Sequence, residues 1–248
     1  MPVLKTADGE IYYEEFGSGF PLLCFAPGSL RSQISYWHAS PRDPSKPSPS
    51  MDPTKDLAAD FRIIAMDQRN AGRSRAPVST DDGWETYAGD HLALLDHLGA
   101  ERAHVLGGCI GSSYCLGLIK LAPVRVSAAV LQNPIGLSPE NRPAFYEMFD
   151  GWAADLRKGR PDLSQAALDA LRARMYDGDF VFSVSRDFVQ ACRTPMLILA
   201  GDDLYHPAAI AEEIARLAPN SELIAKWKTP DATPAAVARV RAFLKAHQ

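Results

Sequence analysis

His104-Val105-Leu106-Gly107-Gly108-Cys109-Ile110-Gly111-Ser112-Ser113 is the stretch from which the rest of the chain can be read. A short apolar strand over about 103–107 runs through glycines into a helix over about 110–121. A strand that turns at once into a helix holds the corner residue in a strained conformation. It also brings the residues two positions to either side so close together that a Cβ would clash. Glycine stands at both of those positions, Gly107 and Gly111. The Cys109 side chain is then held clear of the backbone, above a sheet edge and at the positive end of a helix.

Gly-x-Cys-x-Gly is the spacing of a nucleophile elbow with Cys where Ser is usual. Other readings stand beside it. Glycine-rich strand-to-helix turns also hold phosphates, and many cysteines in such places are small buried hydrophobes. A dinucleotide fingerprint fits poorly, because Gly107-x-Cys109 breaks the Gly-x-Gly-x-x-Gly rule and the turn falls mid-chain after several strands.

Outward from the elbow, strands and helices alternate. Asp8-Gly9 before Ile11-Tyr12-Tyr13 reads as a turn between two strands. Pro21–Ala26 is a continuous apolar run, the pattern of a strand covered on both faces, and it ends at Pro27-Gly28-Ser29. Such carboxyl ends gather ligands in open α/β sheets. Residues 39–55 carry prolines at 41, 44, 47, 49 and 53 and read as an irregular loop, either a site border or a solvated excursion. Phe61–Met66 and Arg125–Leu131 read as further buried strands, with a helix over about 84–98 between the first of these and the elbow. His91 and His97 on that helix read as solvated or packing residues, since no metal partner is spaced nearby. Three amphipathic helices fill 138–191 before a strand at Pro195–Ala200 that ends in Gly201-Asp202-Asp203-Leu204-Tyr205-His206-Pro207. A helix to about Leu217, a short strand Ser221–Ile224 and a closing helix from Pro234 to Lys245 complete the chain.

A chain of 248 residues with 46% hydrophobic content can bury a sizeable core. Net charge is −4 with no long basic run, which argues against nucleic acid and membrane surfaces as partners. No apolar stretch reaches membrane-spanning length, and the first five residues lack a signal peptide's apolar segment. Cys24, Cys109, Cys115 and Cys192 show no zinc spacing, so free thiols in a reducing, cytoplasmic compartment are expected, with no metal.

With the elbow included, the chain resembles the α/β-hydrolase fold family over nearly its full length. Pro27-Gly28-Ser29 stands where that family has His-Gly-x, and Asp67-Gln68-Arg69-Asn70-Ala71-Gly72-Arg73-Ser74 looks like its Asp-x-Arg-Gly-x-Gly-x-Ser stretch. Gly201-Asp202-Asp203 looks like the place of its acid. The resemblance implies a mostly parallel eight-stranded sheet flanked by helices. It implies a core of residues 1–137 and 192–248 with a helical cap at 138–191. It also implies an oxyanion hole from the backbone N–H groups of Ser29 and Ile110, a small-molecule substrate, no cofactor, and a monomer or homodimer. A Cys nucleophile is a minority choice in the family, found in dienelactone hydrolases.

One departure matters. The family's base is a histidine in the loop after the last strand, and here residues 225–233 contain none. His247 lies at the far end of the closing helix. A thiol needs less help than a hydroxyl, since its free pKa is about 8.5 and a helix end or nearby cation lowers it. Water must still be activated for deacylation, so a base is useful. His206 is the best candidate, with Asp203 or Asp202 orienting its ring, and His38 is a weaker one. Arg31 could hold a substrate carboxylate, although a solvated arginine reads as well. Cys24 and Cys115 are expected to be buried and inert. The sequence thus points to a cysteine-dependent esterase, lactonase or thioesterase forming an acyl-enzyme. An acyltransferase on the same fold and a ligand-binding protein that has lost the triad histidine are the alternatives.

Overall fold

Eight strands hydrogen-bond into one sheet in the order β1-β2-β4-β3-β5-β6-β7-β8 in a computed structural model that describes residues 2–41, 43–48 and 50–248. The strands are β1 (Val3–Lys5), β2 (Glu10–Phe16), β3 (Phe20–Phe25), β4 (Phe61–Met66), β5 (Ala103–Gly108), β6 (Val126–Gln132), β7 (Met196–Leu199) and β8 (Ser221–Ile224). β1 and β2 run antiparallel to their neighbours, and every pairing from β4 to β8 is parallel. Met1, and Pro49 among the loop prolines, lie outside the described residues.

The apolar runs become strands with a separate core on each face. Alternate residues of β3, Leu23 and Phe25, join one core, while Leu22 and Cys24 join the other. In β6, Ala129 and Leu131 face the first core, Ala128 and Val130 the second. That is the period of two of a strand buried on both sides. The first core takes in helices α2 (Trp84–His97), α3 (Ile110–Leu121) and α7 (Ala208–Leu217). The second is covered by α8 (Thr233–Lys245), with Trp37, Met51 and Leu57. Helices α4 (Arg142–Gly159), α5 (Gln165–Tyr176) and α6 (Arg186–Ala191) lie between β6 and β7 in the chain. Trp84 Nε1 donates to the Met175 carbonyl at 3.1 Å and Ser113 Oγ to that of Val181 at 2.9 Å, tying this segment to α2 and α3.

The irregular reading of 39–55 needs correction at both ends of the loop. Ala39 and Pro47 form an antiparallel bridge, and the single-turn helix α1 (Pro53–Asp56) begins at Pro53. A proline costs no hydrogen bond in a first helical turn, and Asp52 caps Thr54 N there. His91 is not solvated. It is fully buried, its ring centroid 4.2 Å from that of Phe25 in a tilted contact and its Nε2 2.8 Å from Gln68 Oε1.

The stretch 67–74 is a knot of local bonds. Asp67 accepts from Ile34 N, Arg73 N and Arg73 Nε, while Ser74 Oγ donates to the Asp67 carbonyl and accepts from Tyr12 N. Arg69 forks onto Asp90, both groups being buried, and reaches Asp8. Burial pushes the Asp90 carboxyl up, and the Arg69 guanidinium pulls against it. These bonds fasten β2, β4 and α2 together.

Strand order positions the site. The chain passes from β3 outward to β4, then returns across β3 to β5. The carboxyl ends of β3 and β5 therefore sit side by side where the winding reverses, the place where parallel sheets open a crevice. β3 leads into Pro27-Gly28-Ser29 and β5 into Cys109.

Candidate active site

Cys109 occupies the corner between β5 and α3 with φ 59° and ψ −122°, a conformation few L-residues adopt. The flanking glycines explain how the corner is tolerated. A Cβ on Gly107 would fall inside the Gly111 carbonyl, and one on Gly111 would fall inside the Phe25 carbonyl of β3. The corner is held by Cys109 N donating to the Gln132 carbonyl at 2.9 Å and by Ser112 Oγ donating to the Gly107 carbonyl at 3.0 Å. The Cys109 side chain is partly accessible, while Cys24, Cys115 and Cys192 are buried.

His206 is brought to this thiol by the turn after β7. Gly201 follows the strand by two residues, and a Cβ there would collide with the Cβ and carbonyl of His206. The absence of a side chain lets residues 202–206 fold back over the strand end. Asp203 Oδ1 then accepts from the backbone N–H groups of Tyr205 and His206 and lies 2.8 Å from His206 Nδ1. That bond fixes the tautomer with Nδ1 protonated and turns Nε2 inward. Nε2 is buried with no hydrogen bond of ordinary geometry, and it interacts with the Cys109 sulfur across the site. Such contacts often tighten only with substrate in place.

The electrostatics follow. Burial pushes the Cys109 thiol up, but the charge and proximity of the His206 ring and the N–H groups of Gly28 and Ile110 together bring it below the ordinary thiol value. Burial pulls His206 down, yet the Cys109 charge and the Asp203 bond raise it to about 9. Asp203 is held below the usual carboxylate range: burial opposes ionisation, and the His206 bond, its charge and the two backbone donors outweigh that. Each group thus favours the charged form of the other, thiolate at Cys109 and imidazolium at His206. Cys24 and Cys115, by contrast, are pushed well up by burial, which leaves them protonated and inert.

Cys109, His206, Asp203, Ser29 and Arg31 line one cavity of about 720 Å³. Asp202 also lines it but bonds Lys228 at 2.5 Å instead of an imidazole, so the two acids of the turn have separate partners. Arg31 is paired with Asp155 of α4 at 2.6 Å, so a carboxylate ligand would have to compete for it. His38 is drawn to Asp52 at 2.7 Å and is not among the cavity's lining residues, and His247 bonds the Phe243 carbonyl. Ile110 supplies one of the N–H groups facing the sulfur. The other belongs to Gly28, one residue before Ser29, whose own hydroxyl bonds Tyr176 at 2.9 Å.

Sequence reasoning missed Tyr176, Asn133 and Lys228. Tyr176 ends an amphipathic helix among other aromatics and carries no local signal. Asn133 follows β6 at φ 48°, with a buried Oδ1 that has no partner among the described residues. The glycine at 201 was the available signal for His206. Among the described residues, no group of three or more His, Cys, Asp or Glu is placed to hold a metal ion, and no helix is long and apolar enough to cross a membrane.

The sheet order, the elbow and the crevice above β3 and β5 define an α/β-hydrolase-type chain. Residues 51–181, more than half of the sequence, match the alpha/beta hydrolase fold family, and the protein belongs to it. It is 30% identical over 133 residues to a putative carbamate hydrolase RutD of Azorhizobium caulinodans, a match covering 54% of this chain and 44% of that one. It is 25% identical over 208 residues to the putative carbamate hydrolase RutD of Caulobacter sp. strain K31, covering 69% and 74%. The match thus spans less than half of the first of these relatives. Among solved structures, the enol-lactonase of Burkholderia xenovorans LB400 superposes with a TM-score of 0.68 at 20% identity, over 98% of this chain and 100% of that one.

Proposed function

We propose that the protein is a cysteine-dependent hydrolase that cleaves a small ester, lactone or thioester through an acyl-Cys109 intermediate. One observation carries this reading: a thiol strained into the open at an elbow meets an imidazole that is itself oriented by a carboxylate, all on the wall of one cavity. The carbamate hydrolase relatives extend the candidate substrates to carbamates, which present the same carbonyl chemistry.

The reaction balances with the groups present. The Cys109 thiolate adds to the carbonyl carbon, forming the S–C bond and moving the π pair onto oxygen. That oxyanion takes hydrogen bonds from the backbone N–H groups of Ile110 and Gly28, the two that face the sulfur. Collapse breaks the bond to the leaving group, which receives the Nε2 proton of His206. The imidazole, now neutral, removes a proton from water as the water attacks the thioester. Collapse of the second tetrahedral species releases the acid and returns thiolate and imidazolium. Asp203 keeps Nδ1 protonated throughout and stabilises the cation.

The test is a panel of p-nitrophenyl esters, lactones, thioesters and carbamates, with intact-mass detection of acyl-Cys109. Turnover with a transient acyl adduct at Cys109 supports the reading. Tight ligand binding unaltered by Cys109→Ala, with no adduct on any substrate, would turn it over in favour of a binding protein. Enhanced product formation with alcohol, amine or thiol acceptors would redirect it to acyl transfer.

A further inference from the structure

The Ser29 and Tyr176 hydroxyls join two parts of the chain that the acyl-transfer reading treats separately. Ser29 follows β3 with φ 56°, and Tyr176 is the last residue of α5. Their oxygens are 2.9 Å apart, and both residues are at most 1% exposed. Ser29 lines the cavity that holds Cys109.

A count of protons makes the pair informative. Two hydroxyls carry two protons, and the bond between them uses one. Neither oxygen has another hydrogen-bond partner among the described residues. One proton is therefore unspent in a place from which water is almost excluded, where an unmet donor is costly. A phenol is the better donor of the two, so the favoured arrangement has Tyr176 donating to Ser29 Oγ. A hydroxyl that accepts one bond becomes a stronger donor in its next. The spare proton then belongs to Ser29, on the cavity wall.

The surroundings hold Tyr176 in that role. Its ring stacks on Phe145 at 5.6 Å and meets Phe149 and Phe182 edge-on, and Arg142 Nη1 donates to its carbonyl at 2.5 Å. Burial raises the phenol far above its ordinary value, the Ser29 bond lowers it somewhat, and charge at Cys109 raises it again, so it stays a protonated donor and lies within electrostatic reach of the thiol.

We propose that the Ser29 side-chain hydroxyl is a further donor to the oxyanion formed when Cys109 attacks a carbonyl, and that Tyr176 is the positioning residue that polarises and aims it. This rests on the acyl-transfer reading. No proton is transferred. The Ser29 O–H turns toward the negative oxygen as charge develops there and keeps its proton. One consequence is that α5 contributes to the transition state without touching the substrate.

The test compares two reactions of the same thiol. Acylation by p-nitrophenyl acetate passes through an oxyanion, whereas alkylation by iodoacetamide occurs at a saturated carbon and forms none. Ser29→Gly removes the hydroxyl and suits φ 56°, and Tyr176→Phe removes one oxygen from a packed ring. Ser29→Gly is expected to slow acylation roughly 10²-fold, the usual loss for one oxyanion donor. Tyr176→Phe should slow it roughly tenfold, the worth of one neutral hydrogen bond. Alkylation should be unchanged in both. Acylation at the wild-type rate in both variants would overturn the proposal, as would parallel loss of acylation and alkylation, which would assign the pair to scaffolding. A wild-type protein that is alkylated at Cys109 but gives no acyl adduct with any ester, lactone, thioester or carbamate would sink the underlying reading instead.

Discussion

The turns after β7 and β8 leave neighbouring parallel strands at the same edge of the sheet, yet they are put to different uses. The first, from Gly201 to Pro207, folds back and directs an imidazole at Cys109, with Asp203 behind it. The second, residues 225–232, sends Trp227 into the core, where its Nε1 donates to the Ala200 carbonyl at 2.9 Å, and sets Lys228 against Asp202. The second loop is where the family's histidine is expected, and here it is a buttress for the first. Under the proposed function, the oriented imidazole comes from the turn one strand earlier than the family's usual place.

The largest effect is expected at the thiol. Cys109→Ala should abolish acyl-enzyme formation by intact mass and reduce ester turnover to background, with the circular dichroism spectrum unchanged. Next comes the first turn. His206→Asn should lower kcat/KM by about 10²–10⁴-fold, the usual contribution of a positioned acid–base group. It should also raise the apparent pKa of Cys109 alkylation to or above the free-thiol value of about 8.5. An unaltered alkylation profile in that variant would mean the helix end alone activates the thiol.

Asp203→Asn sharpens the contrast between the two acids. Removing its charge should lower the His206 pKa and raise that of Cys109, so the pH window of activity should narrow from both sides, while Asp202→Asn should leave it in place. In the wild type, kcat/KM should rise with pH through a Cys109 ionisation below the ordinary thiol value. It should fall again near pH 9, as His206 loses the proton it gives the leaving group. The sign follows from the pair: thiolate must form on the acid side, and imidazolium is lost on the alkaline side. A profile still rising at pH 10 would contradict the assignment.

The smallest effect belongs to the second loop. Lys228→Ala breaks a part-exposed ion pair worth about 0–1 kcal/mol. It should cost little stability in urea unfolding and change kcat less than fivefold. A loss as large as that of His206→Asn would move the functional weight back to the loop after β8.

The fold was legible because each of its signals is local. Continuous apolar runs marked β3 through β7, and the two glycines around Cys109 marked the elbow, since a backbone crossing that tight excludes any side chain. The turn at 201–206 was partly legible. A glycine, an acid and a histidine at fixed spacing suggested a pair, but the choice between Asp202 and Asp203 depended on where Lys228 lies, 26 residues on from Asp202. Tyr176 was not legible, because its bond reaches a hydroxyl 147 positions away in the chain and its surroundings read as ordinary aromatic packing. Arg31 was read as a surface or ligand-binding cation, and its partner Asp155 comes from a helix whose placement no local pattern fixes.

The crowding of Gly201 against His206 has a use in comparing genomes. Any residue larger than glycine at that strand exit would force the histidine away from the thiol, so glycine, acid and histidine should be inherited together or not at all. A chain with Gly-x-Asp-x-x-His after a late strand, Gly-x-Cys-x-Gly at the elbow and no histidine in the loop between the last strand and the closing helix can be sorted on text alone. Such a triplet would act as a barcode, separating enzymes wired through the penultimate turn from those wired through the final one.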